Sequence, residues 1–251
     1  MSKQLTGKVA FVTGSSKNMG KSFAIAIAEQ GADLVIHYHS VHSKPQAIET
    51  QREVEALGVK ATLVHGDISN KAQVMNIFEH IISEFGGVDI VINNAGAISK
   101  KPFVEYTESD FDALFGINCK GAFFVMQAAA KHIRDNGRII NMATSLLAAF
   151  TWGYALYAGS KAPLEQFTKA LAKEIGHRGV TVNTIAPGAI DTDFFHGEEN
   201  PQTVDYLKSA SVMNRLGQID DVIPAVVYLA SEASRWTTGQ TLFINGGFVT
   251  R

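Results

Sequence analysis

The segment Val9-Ala-Phe-Val-Thr-Gly-Ser-Ser-Lys-Asn-Met-Gly20 joins a short apolar run to a turn that contains glycine and serine. The run is typical of a buried strand, and the Ala- and Ile-rich segment 21–30 that follows is typical of a helix ending before Gly31. A glycine turn at such a junction allows close approach of a pyrophosphate, to which the helix N-terminus presents unpaired N–H groups. Taken alone, the same pattern also fits a tight turn without a ligand.

Strand-like and helix-like segments alternate along the rest of the chain. Strands are predicted at 9–13, 33–38, 61–65, 88–93, 138–142, 180–186 and 241–245, and helices at 21–30, 43–57, 71–85, 107–117 and beyond, 154–176 and 220–231. Repeated strand–helix units imply parallel strands joined by crossover helices. The sequence therefore predicts an α/β fold, a three-layer doubly wound (Rossmann) parallel sheet, in a single domain over 1–251.

One irregular segment, 188–215, is too long for an ordinary connection and carries Phe194, Phe195, His196 and Tyr206. Long insertions of this kind often cover binding sites, so a substrate lid is predicted there. The aromatic residues of this region and of the preceding loop form either an apolar substrate pocket or ordinary core; they are Trp152, Tyr154, Phe194, Phe195 and His196.

Composition excludes several classes of protein. Hydrophobic residues make up 46% of 251 and the net charge is −2, which argues against disorder and against a nucleic-acid partner. The single cysteine, Cys119, cannot form an intramolecular disulfide or a cysteine-based zinc site. No apolar run approaches the roughly 20 residues that span a bilayer, and no signal peptide is evident. A cytoplasmic protein without a membrane partner is expected.

Four motifs in order carry a more specific signal: Thr13-Gly-Ser-Ser-Lys-Asn-Met-Gly20, Asn93-Asn-Ala-Gly96, Tyr157-Ala-Gly-Ser-Lys161, and Pro187-Gly188 followed by Thr192. Together they resemble the short-chain dehydrogenase/reductase family, and the resemblance runs from Lys8 to Gly247. Asn18 stands where that family usually has its middle glycine. Asn accepts left-handed backbone geometry better than other non-glycine residues, so the turn is expected to form.

Tyr157 and Lys161 are four residues apart and so share one face of a helix. This spacing suits a phenol that exchanges a proton with a substrate oxygen beside an ammonium group. With an ordinary pKa of about 10 the phenol is protonated for carbonyl reduction, whereas alcohol oxidation needs the phenolate that a nearby cation favours. Without the other motifs, the pair would also fit a solvated helix face.

The resemblance implies further roles. Lys161 would also bind the nicotinamide ribose, and Asn118 would support it through a water molecule. A hydroxyl residue thirteen positions before the tyrosine would orient the substrate oxygen, which points to Thr144, with Ser145 as the alternative. The predicted catalytic residues are Asn118, Thr144, Tyr157 and Lys161.

The end of the second strand, His37-Tyr-His-Ser-Val-His-Ser-Lys44, has no carboxylate to hold the ribose of NAD. Ser40, His39 and Lys44 could instead bind a 2′-phosphate, and Lys17 resembles the basic residue of NADP-preferring members. NADP(H) is therefore the predicted cofactor. The alternative is an exposed loop that is incidentally rich in histidine; no metal is expected, because no carboxylate or cysteine joins the histidines.

Other cofactor contacts follow from the resemblance. Asp67 and Ile68 would hold the adenine, although Asp67 equally fits a helix N-cap before Asn70. Asn93 and Gly96 would line the ribose. The predicted cofactor-binding residues are Gly14, Ser16, Lys17, Asn18, Met19, Gly20, Tyr38, His39, Ser40, Asp67, Ile68, Asn94, Ala95, Gly96, Tyr157, Lys161, Pro187, Gly188, Ile190 and Thr192.

These observations predict an NADPH-dependent oxidoreductase that reduces a ketone or other carbonyl, with Tyr157 as general acid. Two alternatives remain: an NAD-dependent alcohol dehydrogenase of the same family, and a non-catalytic NADP-binding sensor. The expected partners are a small carbonyl or alcohol substrate and further copies of the chain, in a homotetramer or dimer as the resemblance implies.

Overall fold

Seven parallel strands form the centre of this computed structural model, which describes residues 3–251. They are β1 (Val9–Val12), β2 (Asp33–Tyr38), β3 (Ala61–His65), β4 (Val88–Asn93), β5 (Ile133–Met142), β6 (Thr181–Pro187) and β7 (Thr241–Ile244). Their order in the sheet is β3-β2-β1-β4-β5-β6-β7. The direction of strand addition reverses between β1 and β4, and open α/β sheets bind ligands outside the carboxyl ends of strands at such a point.

Helices cover both faces of the sheet. One face carries α1 (Asn18–Glu29), α2 (Lys44–Glu55) and α10 (Ile219–Ala230), and the other carries α3 (Lys71–Phe85), α5 (Ala122–His132) and α7 (Pro163–Ile175). Alternate residues of β1 pack against opposite helix layers. Ala10 and Val12 belong to the core beneath the first set of helices, and Val9 and Phe11 belong to the core beneath the second. The predicted three-layer doubly wound sheet is confirmed.

The remaining helices surround the carboxyl edge of the sheet. They are α4 (Glu108–Phe115), α6 (Ala155–Lys161), α8 (Asp193–His196) and α9 (Pro201–Ala210), and a π-helical segment (Gly116–Gly121) joins α4 to α5. The prediction that 188–215 is irregular was wrong, since α8 and α9 lie within it. These helices enclose a small apolar cluster of Phe195, Leu207 and Leu216, separate from the two cores on the sheet.

Two further boundaries differ from the prediction. The helix predicted at 154–176 is divided into α6 and α7, because Pro163 lacks the N–H that would continue the hydrogen-bond ladder. β5 begins at Ile133 instead of 138, with an irregularity between the pairs Val88–Ile133 and Ile90–Arg138. Asn136, in the left-handed conformation at φ 61°, lies within this irregular segment.

The continuous helical stretch Glu108–His132 is long and apolar enough to cross a bilayer by length and composition alone. Within it, α5 packs against α3, α7, β4 and β5. Since a core helix meets the same criterion, this stretch is only weak evidence for a membrane span.

Candidate functional site

A pocket of about 460 Å³ lies at the carboxyl edge of the sheet. It brings together most of the predicted residues, from seven separate parts of the chain. Those in its wall are Gly14, Ser16, Lys17, Asn18, Met19, Gly20, His39, Ser40, Asp67, Ile68, Asn94, Ala95, Gly96, Thr144, Tyr157, Lys161, Pro187, Gly188, Ile190 and Thr192. Tyr38 and Asn118, also predicted, are absent from the wall.

The glycine turn has the close backbone packing that a phosphate-binding turn requires. Gly14 and Asn18 adopt left-handed conformations at φ 64° and 49°, so asparagine does take the geometry expected of it. A Cβ atom on Gly20 would lie 2.1 Å from the Gly14 carbonyl oxygen. Because that oxygen belongs to the backbone, no side-chain movement could relieve the clash. The Asn94 side chain donates to the Thr13 carbonyl at 3.0 Å and fastens the turn to the end of β4.

His37, which the sequence grouped with an exposed histidine-rich loop, is buried beneath this turn. Its Nδ1 accepts a hydrogen bond from the Gly14 N–H at 2.9 Å, so Nε2 carries the proton and donates to the Gly66 carbonyl at 2.9 Å. Burial lowers the pKa of His37 from 6.5 to about 4. The neutral imidazole therefore connects the turn to the end of β3. Its position inside the predicted strand 33–38 was the signal that could have revealed it, because an inner parallel strand is buried on both faces.

The end of β2 presents hydroxyl and imidazole groups to the pocket. His39 and Ser40 lie in the wall, and so does Ser43, which was not predicted. Ser40 and Ser43 hydrogen-bond each other through a capping box, and their three-residue spacing could have indicated it. Tyr38 instead lies against the His65 ring, with centroids 5.0 Å apart, and Lys44 begins α2 outside the wall.

Asp67 lies in the wall but does not cap α3. Asn70 is the cap, accepting from the backbone N–H groups of Ala72 and Gln73. The Asp67 carboxylate accepts from the Ser69 N–H at 2.8 Å. Partial burial opposes ionisation, but the hydrogen bonds from Ser69 outweigh it and lower the pKa of Asp67.

Tyr157 and Lys161 project from α6 into the pocket, and both side chains are buried. Burial raises the pKa of Tyr157 from 10.0 to about 12, although a hydrogen bond with the Thr144 hydroxyl opposes the shift. Burial lowers the pKa of Lys161 from 10.5 to about 8, and its Nζ donates to the Met142 carbonyl at 2.8 Å. The pocket therefore holds a phenol that is protonated at neutral pH, together with an amine whose charged form is disfavoured by burial.

The two candidate hydroxyl residues after β5 differ in the hydrogen bonds that their side chains already make. The Ser145 hydroxyl donates to the Ala186 carbonyl at 2.9 Å and accepts from the Asn245 side chain at 3.1 Å. The Thr144 hydroxyl accepts one long bond from the Leu146 N–H, at 3.3 Å, and lies beside Tyr157. A ligand oxygen lying between the two side chains would therefore take over the Thr144 proton that otherwise serves Tyr157.

The Asn118 side chain lies behind the wall, in the π-helical segment. Its amide forms paired bonds with the N–H and carbonyl of Ala97, at 2.9 and 2.8 Å, and donates to the Ser160 hydroxyl at 3.0 Å. It therefore joins the segment after β4, at Ala97, to helix α6.

Asn93 was expected at the ribose but points into the core, where it donates to the Ala122 carbonyl and to Asn141. Successive residues of a strand face opposite sides of the sheet. Asn94, one position later, is therefore the residue in the wall.

The far end of the pocket is mostly apolar and is covered by 188–215. Tyr154, Phe194 and Phe195 line it. Trp152 and His196 lie outside the wall, since Trp152 is 68% exposed and His196 pairs with Asp191. Glu199, which was not predicted from the sequence, also lies in this wall. Its carboxylate accepts from the Tyr154 hydroxyl at 2.5 Å and pairs with Lys100.

Comparisons with known proteins agree with this arrangement. Residues 14–249 match the family model described as Enoyl-(Acyl carrier protein) reductase. The chain is 37% identical over 263 residues to hydroxynaphthalene reductase-like protein Arp2 of Metarhizium brunneum (strain ARSEF 3297), covering 99% of this chain and 97% of that protein. It is also 37% identical over 253 residues to a short-chain type dehydrogenase/reductase of Picea abies, covering 98% and 93%.

Two solved structures extend the comparison to bound cofactors. A dehydrogenase from Burkholderia cenocepacia with bound NADP has a TM-score of 0.96 and 40% identity, covering 100% of this chain and 97% of that one. A blue fluorescent protein from a metagenomic library, in complex with NADPH, has a TM-score of 0.93 and 36% identity, covering 98% and 100%.

Proposed function

Because the chain belongs to the short-chain dehydrogenase/reductase family, we propose that it uses NADPH to reduce a ketone or other carbonyl to an alcohol. The observation that carries this proposal is the buried Tyr157 phenol beside Thr144, in one pocket with Lys161. A phenol whose pKa is raised to about 12 is fully protonated at neutral pH and is ready to act as an acid. This state suits reduction better than alcohol oxidation.

The pocket fits NADP(H). Gly20 lets the turn pack closely, because a Cβ there would lie 2.1 Å from the Gly14 carbonyl oxygen, and the N-terminus of α1 favours the charge of a phosphate. Lys17, His39, Ser40 and Ser43 would hold the 2′-phosphate, since residues 37–44 place no carboxylate there. NADPH, when bound, supplies the hydride. The two NADP(H)-bound neighbours support this assignment.

The side chains of the pocket would then carry the proton chemistry. Thr144 donates a hydrogen bond to the substrate oxygen and Tyr157 gives it a proton. Lys161 stands next to Gly96, where a Cβ would be 3.1 Å from its Nζ, so it would hold the ribose and assist the phenol. Asn118 would not contact the substrate or the cofactor itself. It would act by positioning Gly96 and α6.

The segment 188–215 would serve as the substrate lid. Its fixed contacts with the body include Glu199 with Tyr154 and Glu198 with the Lys100 N–H at 2.8 Å. The wall beneath it is largely apolar, and relatives are named hydroxynaphthalene reductase-like proteins. A cyclic aromatic ketone is therefore the substrate class that we propose.

We also propose that the chain assembles as a homotetramer, through two separate faces. Phe111 on α4 and Phe123 on α5 are 49% and 39% exposed on one side. Trp236 is 96% exposed near β7, which is an edge strand of the sheet. Apolar surface on two faces suits two symmetric contacts, whereas a dimer would cover one of them.

Fluorescence titration with NADPH and NADH, followed by assays on cyclic aryl ketones, tests the proposed activity. We expect tight NADPH and weak NADH binding, and turnover that Tyr157→Phe reduces at least about a thousandfold while NADPH still binds. Tighter NADH binding would favour the NAD-dependent alcohol dehydrogenase. Tight NADPH binding without turnover of any carbonyl would favour the sensor.

A further inference from the structure

Lys100, in the loop between β4 and α4, contacts two consecutive glutamates of the lid. Its backbone N–H donates to the Glu198 carboxylate at 2.8 Å, and its ammonium pairs with the Glu199 carboxylate. The side chains of Lys100 and Glu199 are 9% and 0% exposed, so this ion pair is buried. Two buried charges are tolerated only in a well-satisfied arrangement, so the pair fixes where the lid lies on the body of the domain.

Tyr154 is the third member of this group. Its hydroxyl donates to Glu199 at 2.5 Å, and the Lys100 ammonium lies 5.4 Å from the centroid of its ring. Burial, together with the bond to Glu199, raises the pKa of Tyr154, so its phenol remains a donor at neutral pH. The side chain is therefore held at its hydroxyl by the lid and at its ring by the body.

Tyr154 is also the residue from which helix α6 begins. Its carbonyl accepts from the Ala158 N–H of the first turn at 2.8 Å, and its ring lies 5.9 Å from the Tyr157 ring, centroid to centroid. The contacts of the lid thus end on the residue that starts the helix carrying the proposed proton donor.

Glu199 allows the Tyr154 hydroxyl to lie in a wall that is largely apolar. When the lid moves away, the hydroxyl loses its acceptor, and a buried hydroxyl without a partner is unfavourable. The Tyr154 side chain would then turn towards water and loosen the first turn of α6. The position of Tyr157 therefore depends on closure of the lid through one hydrogen bond.

We propose that Glu199 is a positioning residue: held by Lys100, it fixes Tyr154 and the start of α6 in the reactive arrangement when the lid is closed. It acts through Tyr154 on the proton donor Tyr157 and needs no contact with the substrate. Closure of the lid then prepares proton transfer as well as covering the substrate. This inference rests on the proposed carbonyl reduction.

Steady-state kinetics with NADPH and 1-tetralone, a cyclic aryl ketone, test this role. Tyr154→Phe removes only the hydroxyl that binds Glu199. Glu199→Gln turns an NH₂ group towards that hydroxyl, because Lys100 takes the single amide oxygen. Each variant should lower kcat about tenfold to a hundredfold, since a small misplacement of a reacting group is costly. The double variant should lose no more than Glu199→Gln alone, because both changes break the same bond.

Glu198→Ala is the matched control, because it removes a lid contact with the Lys100 N–H that does not involve Tyr154. A lid that closes less firmly holds the substrate less well, so this variant should raise KM while kcat stays within about twofold. Glu199→Gln should raise KM no more than Glu198→Ala does, and should differ from it in kcat.

The NMR signal of Tyr157 provides a measurement that requires no turnover. The chain has six tyrosines, so labelling their Cζ atoms with ¹³C gives six signals, and the one missing from Tyr157→Phe is assigned to Tyr157. We expect Glu199→Gln to shift or broaden this signal and Glu198→Ala to leave it unchanged. Tyr154→Phe should show the same change as Glu199→Gln, and it carries the test if Glu199→Gln does not fold.

The inference is overturned if the Tyr157 signal in these two variants coincides with that of the wild type. An unchanged or higher kcat would also overturn it, by assigning the contacts to holding the lid alone. The same conclusion follows if Glu198→Ala lowers kcat or shifts the signal as much as Glu199→Gln does. A wild-type protein that reduces no ketone, while its Tyr157 signal responds as expected, would contradict the proposed reduction and support the positioning.

Discussion

Thr144 and Ser145 are adjacent hydroxyl residues with very different surroundings. We expect Thr144→Val to lower kcat about a hundredfold or more, because it removes the proposed donor to the substrate oxygen, together with the bond to Tyr157 and the long bond from the Leu146 N–H. Ser145→Ala should instead lower the unfolding free energy by about 1 kcal/mol, through its bonds to Ala186 and Asn245, with a smaller effect on kcat. Steady-state kinetics and thermal unfolding measured on both variants check this. If Ser145→Ala lowered kcat more than Thr144→Val does, Ser145 and not Thr144 would be the donor to the substrate oxygen.

Burial of Lys161 implies a cost to stability that depends on pH. Its pKa is about 8 in the folded protein and 10.5 in the unfolded chain, so folding releases a proton between these values and stability rises with pH across this window. Below pH 8 the buried charge costs about 3 kcal/mol. Lys161→Met should therefore stabilise the cofactor-free protein at pH 7 by about 1–3 kcal/mol while turnover is lost, and the gain should fade above pH 10.

Urea unfolding of both proteins across the pH range measures that difference. Lys169→Met is the control, since the Lys169 side chain is 46% exposed and its buried partner Glu165 also pairs with Arg251, so this variant should show no such gain. A Lys161→Met protein that is less stable than the wild type at pH 7 would contradict the prediction.

At the residue scale, the motifs identified most of the pocket, because spacing on one helix and position after a strand fix where a side chain emerges. The hydroxyl of Thr144 could be selected only as the first of two candidates, since the partners of Ser145 come from β6 and from the chain end. Glu199 could not be selected, because its partners Lys100 and Tyr154 are distant in sequence.

At the scale of elements, the first turn depends on strands β2 and β3 as well as on its own glycines. Neutral His37 accepts from Gly14 and donates to Gly66, so protonation at Nδ1 would break the bond to the turn. This dependence was hidden in the sequence, where His37 resembles its exposed neighbours His39 and His42. The glycine turn itself was predictable because its conformation is local.

Acidification should therefore weaken both the fold and cofactor binding. The pKa of His37 is about 4 when folded and 6.5 when unfolded, so stability is retained above pH 6.5 and is lost progressively as the pH falls towards 4. The loss should approach about 3 kcal/mol by pH 4. Chemical unfolding at intervals of pH measures it, with His42→Gln as the control because His42 is exposed.

His37→Phe should remove that part of the pH dependence and weaken NADPH binding at pH 7, because the Gly14 N–H loses its acceptor. If this variant binds NADPH as tightly as the wild type, the imidazole does not support the turn.

At the scale of the whole molecule, strand order and the two-sided core followed from the alternation of segments, since crossover connections leave few arrangements for parallel strands. The two helices of 188–215 were not predictable from that alternation. They are stabilised by contacts of their own small cluster and of Glu198 and Glu199 with the body, and neither set is local.

Assembly through the α4–α5 face leads to a prediction for molecular mass. Phe123→Glu places a charge on the proposed interface and should convert the tetramer into dimers, as measured by light scattering after size-exclusion chromatography. Phe150→Glu is the control, because Phe150 is 94% exposed in the loop after β5 and lies on neither proposed face. A wild-type monomer, or an unchanged mass in Phe123→Glu, would contradict the proposed contact.

The small cluster of Phe195, Leu207 and Leu216 also implies a hierarchy of local unfolding. Because it is separate from both cores on the sheet, α9 can open without exposing the interior of the domain. Its amide hydrogens should then exchange with deuterated water well before those of β1 and β4, which open only when the sheet does. Leu207 of α9 belongs to this cluster and also lines the pocket, so a bound ligand that contacts it would slow this exchange, and the protection of α9 would report that the pocket is occupied.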